Sequence, residues 1–221
     1  MFLQRFIDRQ SLIALSLGML LLSGCGGFGT PKDPSGSQQG AGPNAGGTGD
    51  DSARVVPSAA LTMFEQAAAS LAAGDLPDAE LRFKEFLLQY PEYPGAHVNL
   101  AIIHVTNSND DAARASIEAA LALDPNHAAA LNQLGMLLRR NGKFLEAEAA
   151  YLKAVTVSPD YALAHYNLGV LNELYLQRLD AALKNFEDYQ LLAGEDKQVA
   201  RWITDLRRRV ATNQRTANVV D

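Results

Sequence analysis

DPNHAAALNQLG, Asp124 to Gly135, and SPDYALAHYNLG, Ser158 to Gly169, are nearly the same phrase written twice. Pro125 and Pro159 are 34 residues apart, as are Gly135 and Gly169, and Pro91 stands 34 before Pro125. A fixed period in the range of about 20–50 residues marks stacked supersecondary units, none of which buries its apolar face alone.

With the proline at position 32, the units run 60–93, 94–127, 128–161 and 162–195. Position 8 is small in each: Ala67, Ala101, Gly135 and Gly169. Position 20 is small again: Ala79, Ala113, Ala147 and Ala181 or Ala182. Position 24 is bulky: Phe83, Ile117 and Tyr151. Small residues facing bulky ones are what two helices need where they touch. Helix breakers fall between them, around Gly74, Ser108 and Gly142, and Asn126 and Asp160 stand where they can cap the following helix. In the fourth unit one inserted residue in LYLQRLD moves Phe186 and Tyr189 onto the bulky positions, and LAGED replaces the closing proline.

This pattern resembles the tetratricopeptide repeat over about 58–195. The resemblance implies an all-α fold: a short right-handed α-solenoid of about four helix pairs with atypical end units. Beyond it, Val199, Trp202, Ile203, Leu206 and Val210 share one helical face, so residues 196–212 are read as a helix capping the last unit. Residues 213–221 read as a frayed tail. The run Arg207–Arg209 reads as a solvated helix end rather than an anion-binding patch.

The N-terminus carries a different signal. Arg5 and Arg9 precede SLIALSLGMLLLSG, an apolar run too short for an ordinary membrane span, and together they make a secretory signal pattern over 1–24. Leu22-Ser23-Gly24-Cys25 resembles the bacterial lipobox, which implies cleavage before Cys25 and a lipid on its thiol. Several acyl chains, at about 0.8 kcal/mol per buried methylene, anchor stably where one does not. By the same resemblance, Gly26 in place of Asp implies sorting to the outer membrane, with the folded part facing the periplasm. Residues 26–57 are rich in Gly, Pro and Ser and nearly devoid of large apolar side chains. They read as a disordered tether with a root-mean-square span of roughly 30 Å.

Composition narrows the chemistry. A net charge of −6 argues against nucleic acid as a partner. One cysteine leaves no intramolecular disulfide. His97 and His104 could share a helix face, and a cell-wall ligand or catalytic site there is the alternative reading. No acid or thiol joins them at ligand spacing, and His97 and His165 hold position 4, a packing position in the family. Neither a nucleophile elbow, a phosphate-cradling glycine loop nor HExxH is present. The expectation is a non-enzymatic protein without cofactor or metal.

The resemblance places a partner groove on the concave side, lined by the first helices at positions 2, 5, 9, 12 and 13. Those positions yield Phe64, Val98, Asn132 and Tyr166, then Ile102, Met136 and Val170, then Arg139 and Arg140, with Asn99 and Asn167 bordering them. Such a stripe suits an extended or helical peptide segment of an envelope protein: amides for its backbone, apolar pockets for its side chains, an arginine for a carboxylate. The Lys and Asn set with which chaperone-binding members clamp a terminal carboxylate is missing. Lipoproteins of this kind serve pilus and secretion assembly, or scaffold peptidoglycan hydrolases; either role is an expectation.

Overall fold

The computed structural model describes residues 56–220, with side chains to residue 216. The signal sequence, Cys25 and the tether as far as residue 55 lie outside the described residues. Within them are nine helices and no strand: α1 (Ser58–Ala72), α2 (Leu76–Gln89), α3 (Pro94–Thr106), α4 (Asp110–Leu123), α5 (Ala128–Arg140), α6 (Phe144–Val157), α7 (Ala162–Leu174), α8 (Leu179–Ala193) and α9 (Lys197–Val220). Helices α1 to α8 form four hairpins, one for each 34-residue unit.

Local chemistry writes each hairpin. The chain reverses through a left-handed residue at equivalent places: Gly74 (φ 78°), Ser108 (φ 58°), Gly142 (φ 75°) and Gln177 (φ 55°). Glycine enters that region freely, while Ser108 and Gln177 carry a Cβ that crowds the next carbonyl. Asp75 and Asn109 then cap α2 and α4, accepting the Asp78 and Ala112 N–H groups at 3.2 Å. The fourth turn, between Leu174 and Leu179, has one residue more than the third. That insertion puts Ala182, Phe186 and Tyr189 into the core and leaves Ala181 half-exposed.

Within a hairpin the helices meet where position 8 faces position 24. A Cβ on Gly135 would come within 2.5 Å of the Tyr151 ring, and one on Gly169 within 2.9 Å of the Phe186 ring. Units 3 and 4 thus use glycine because the ring atoms of Tyr151 and Phe186 occupy the space a Cβ would need there. The first helices touch from unit to unit (α1 with α3, α3 with α5, α5 with α7), whereas no second helix touches the next among the described residues. This unequal spacing curves the stack and puts the first helices on its inner side.

The cap covers the last unit as its apolar face requires. Val199, Ile203, Leu206 and Val210 are buried, and the first three pack with Val170, Phe186 and Tyr189. Two expectations need correction. Helix α9 runs on to Val220 instead of giving way to a tail after residue 212. Residues 211–220 contain neither Gly nor Pro, the Thr212 hydroxyl donates to the Arg208 carbonyl at 3.0 Å, and Gln214 reaches Asp180 of α8. Asn126 and Asp160 are not the caps of α5 and α7. The Asn126 N–H donates to Asp124 Oδ1 at 2.9 Å, and Asp160 accepts from the Ser158 hydroxyl. Those local turns displace the cap of α5 by one residue, to His127.

Candidate partner-binding site

Most of the stripe expected on the concave side is interior. Phe64 is only 4% exposed, edge-on to Phe83 and Phe86 at 5.5 and 5.6 Å. Val98 and Ile102 are buried with Ala120 and Ala130, and Val170 is buried under α9. Asn99 is fully buried. Asn132 and Asn167 use their amides on each other: Asn167 Nδ2 donates to Asn132 Oδ1 at 2.9 Å, joining α5 to α7. Val98, Ile102, Asn132 and Asn167 help hold neighbouring units together, because first helices pack directly on one another and the groove-facing positions double as inter-unit contacts; Phe64 fills its own hairpin and Val170 meets the cap.

The two arginines, equivalent by sequence, part company. Arg140 donates to the Val105 carbonyl at 3.0 Å and stands 3.4 Å from the Asp110 carboxylate. Asn141 also donates to Asp110, at 3.2 Å. Arg140 is thus a tie between the second and third units rather than the reader of a partner's charge. Arg139 is half-buried, and no carboxylate pairs with it among the described residues. Its guanidinium lies 5.9 Å from the centre of the Tyr175 ring and acts electrostatically on Tyr151 and Tyr166.

Three expected residues therefore remain accessible together on α5 and α7: Met136, Arg139 and Tyr166, all half-buried. Tyr166 also stacks at a tilt on Tyr189 (5.2 Å) and Trp202 (6.1 Å), so the cap forms one wall of this surface. Burial pushes the Tyr151 phenol up to about 12, against the pull of Arg139. Burial likewise raises Tyr161 to about 12 and Tyr166 in the same direction. The sequence reading missed Tyr151, Tyr175 and Trp202 as contributors. The signal was present for Tyr151: Phe83 and Ile117 fill the same position without a polar tip, and only this unit adds one.

The histidines pack and cap. His97 and His104 are half-buried on α3, and burial lowers the His97 pKa. His165 Nε2 lies 2.9 Å from the Pro159 carbonyl, with Nδ1 3.6 Å from Asp188. Among the described residues no three His, Cys, Asp or Glu side chains could hold a metal. The basic run of α9 is spent: Arg207 pairs with Glu187, Arg208 with Asp205, and Arg209 with Glu173.

Three family models match the chain: tetratricopeptide repeat over 64–128, tetratricopeptide repeat over 117–149, and TPR repeat over 135–174, together half of its length. The chain belongs to the tetratricopeptide-repeat family. The structure of PilF from Pseudomonas aeruginosa is similar, with a TM-score of 0.62, 25% identity and 70% of each chain covered. Among curated relatives, the human protein O-mannosyl-transferase is 41% identical over 61 residues, 28% of this chain and 7% of that one. The peroxisomal targeting signal receptor of Candida albicans is 34% identical over 73 residues, 33% of this chain and 12% of that one. The match thus spans a small fraction of those relatives. Tetratricopeptide-repeat proteins act mainly as protein-binding scaffolds, and this fold is one that holds protein segments.

Proposed function

We propose that the protein is an outer-membrane-anchored, non-enzymatic tetratricopeptide-repeat adaptor, facing the periplasm, that holds a segment of an envelope protein on its concave side during assembly of a pilus or secretion complex. The observation that carries the binding site is the accessible Met136–Arg139–Tyr166 surface on otherwise interlocked inner helices. A half-buried thioether, ring and guanidinium in one patch are side chains that dominate protein interfaces. The signal pattern and Cys25 support the anchor and, with it, the envelope setting.

Affinity capture from crosslinked envelopes tests this. Met136→Glu puts a charge on the half-buried inner surface and should weaken capture roughly ten-fold or more, the loss expected for a buried anchor. The variant must keep its helical signal and melting point. Leu88→Ala with Leu191→Ala removes two outer-face side chains that are 84% and 85% exposed, and should leave capture unchanged. The reverse pattern moves the site to the outer face. Cys25→Ala should abolish labelling by a palmitate analogue and release the protein from the outer-membrane fraction; continued labelling sinks the anchor.

A further inference from the structure

We infer that the turn edge of the last two hairpins, built on the stacked Phe144 and Tyr175 rings and flanked by Arg139 and Lys143, is a docking surface for an acidic protein segment that carries a large apolar side chain. The inference rests on the adaptor reading for its ligand being a protein segment, and adds a contact outside the Met136 and Tyr166 part of the surface. The fourth turn breaks the pattern of the other three. Those reverse through Ala73-Gly74-Asp75, Asn107-Ser108-Asn109 and Asn141-Gly142-Lys143, whereas the fourth reads Tyr175-Leu176-Gln177-Arg178. Its inserted residue brings Gln177 into the left-handed region (φ 55°), a conformation that glycine would adopt without strain. Leu176 packs inward beside Phe144, but Leu174 and Tyr175 are each 43% exposed, and Tyr175 is the most exposed aromatic side chain among the described residues. Where the other turns meet water with polar groups, this one presents a leucine and a ring, whose contact with water a partner would relieve.

The surface is set before any partner arrives. Phe144, the first residue of α6, holds the Tyr175 ring with centres 4.7 Å apart and planes 33° from parallel, and the Arg139 guanidinium lies 5.9 Å from the centre of the Tyr175 ring. Stacked rings have few rotamers left to freeze, so covering them costs little entropy. Charge then selects the partner. The third unit has four cations and three acids, while the other three units together have five cations and fifteen acids. Lys143 is exposed directly before Phe144, and no carboxylate pairs with it or with Arg139 among the described residues. Arg178, at the end of the fourth turn, is neutralised by Glu148, and Arg140 by Asp110. Glu146, in the first turn of α6, offsets one of the two unpaired cations and leaves the edge positive. A neutral apolar segment would cover Arg139 and Lys143 without a counter-charge, and a basic one would be repelled. A carboxylate beside a large apolar side chain answers both the rings and the cations.

The test uses the full chain in phosphatidylcholine nanodiscs, which keep detergent off the patch, and the peptide fluorescein-Gly-Glu-Asp-Phe-Leu-Glu-Gly-amide. One analogue replaces its acids with Gln and Asn; a second replaces its Phe and Leu with Ser. Anisotropy should saturate with a dissociation constant below about 0.5 mM at low salt and weaken as salt is added, and each analogue should bind roughly five-fold more weakly or worse. Tyr175→Ser should weaken binding roughly ten-fold, the loss of an aromatic anchor. Lys143→Gln, which touches no core residue, should weaken it about two- to three-fold and flatten the salt dependence. Leu88→Ser, at an exposed apolar site on α2, should bind as wild type does. The absence of saturation with protein at about 1 mM overturns the proposal, as does equal binding of either analogue or unaltered binding in Tyr175→Ser. If Tyr175→Ser melts lower than wild type, Lys143→Gln decides, and unchanged affinity and salt slope in that variant overturn the proposal. Dimerisation that Tyr175→Ser abolishes also overturns it, in favour of a second copy as the occupant. In envelope capture, a Tyr175→Ser variant that captures as well as wild type removes the edge contact and leaves the adaptor standing; failure of wild type to capture anything removes the adaptor instead.

Discussion

His127 shows how much one side chain decides. It is fully buried, and its Nδ1 accepts the Ala130 N–H at 3.2 Å, so it caps α5 as a neutral imidazole. A proton on Nδ1 would turn that acceptor into a donor facing another donor, at the positive end of the helix dipole. Burial therefore depresses the folded pKa below 6.5, with Asp124 opposing it. The unfolded histidine keeps its ordinary value, so below about pH 6.5 the unfolded state binds the extra proton. Stability is full above that pH and falls as pH drops toward the depressed folded value. The urea midpoint should decline between pH 7.5 and 5.5, with a slope of at most about 1.4 kcal/mol per pH unit from this residue. His127→Asn caps without titrating in this range; it should lower the midpoint at all pH values through lost volume and flatten the slope. His97, also lowered by burial, accounts for any slope that remains. An unchanged slope in His127→Asn would contradict the capping role.

At the scale of elements, α9 is the piece on which the end of the stack depends. Leu206 is fully buried among Val170, Phe186 and Tyr189, while Arg207 beside it makes an exposed bridge to Glu187. Leu206→Ala leaves a cavity between α9 and the last hairpin and should cost about 2–5 kcal/mol, a large share of a domain's net stability. The melting point should fall by roughly 5–15 °C. Arg207→Ala should change it by little, because exposed ion pairs contribute about 0–1 kcal/mol. A Leu206→Ala melt equal to that of Arg207→Ala would mean α9 does not close the core. The length of α9 was only partly legible in the sequence. The apolar face ends at Val210, and the helix beyond it is continued by polar residues without a hydrophobic period to announce them.

For the whole molecule, the four units are coupled by polar ties as well as by packing. Asn132–Asn167 and Arg140–Asp110 each cross a unit boundary. In a stack this short every unit depends on an interface with a neighbour, so it should unfold as one. Gly135→Ala tests this, since the added Cβ would overlap a fixed tyrosine ring at 2.5 Å. Overpacking of that kind costs about 1–3 kcal/mol, more than the roughly 1 kcal/mol that alanine gains over glycine in a helix. Trp202, the only tryptophan, sits on α9, with two helices between it and the mutated hairpin. Its fluorescence transition should shift down with the helical signal, and to the same temperature. A tryptophan transition left at the wild-type temperature would show that the end unit melts separately.

What the sequence determined by itself is the hairpin and its repetition. Position 8 meets position 24 inside one unit, so the alternation of Gly135 with Tyr151 and of Gly169 with Phe186 is readable along a single stretch of chain. The turn glycines, the insertion in the fourth unit and the apolar face of α9 are local in the same sense. What only the tertiary structure decided is which side chains the finished stack leaves available. Arg139 and Arg140 are neighbours that the repeat makes equivalent. Their difference comes from Asp110, 30 residues away, which neutralises one and cannot reach the other. Asn132 is withdrawn by Asn167 across 35 residues, and Val170 by a helix outside the repeat altogether. Curvature sets these long-range pairings, and curvature is a property of how hairpins stack, which no one hairpin's sequence carries.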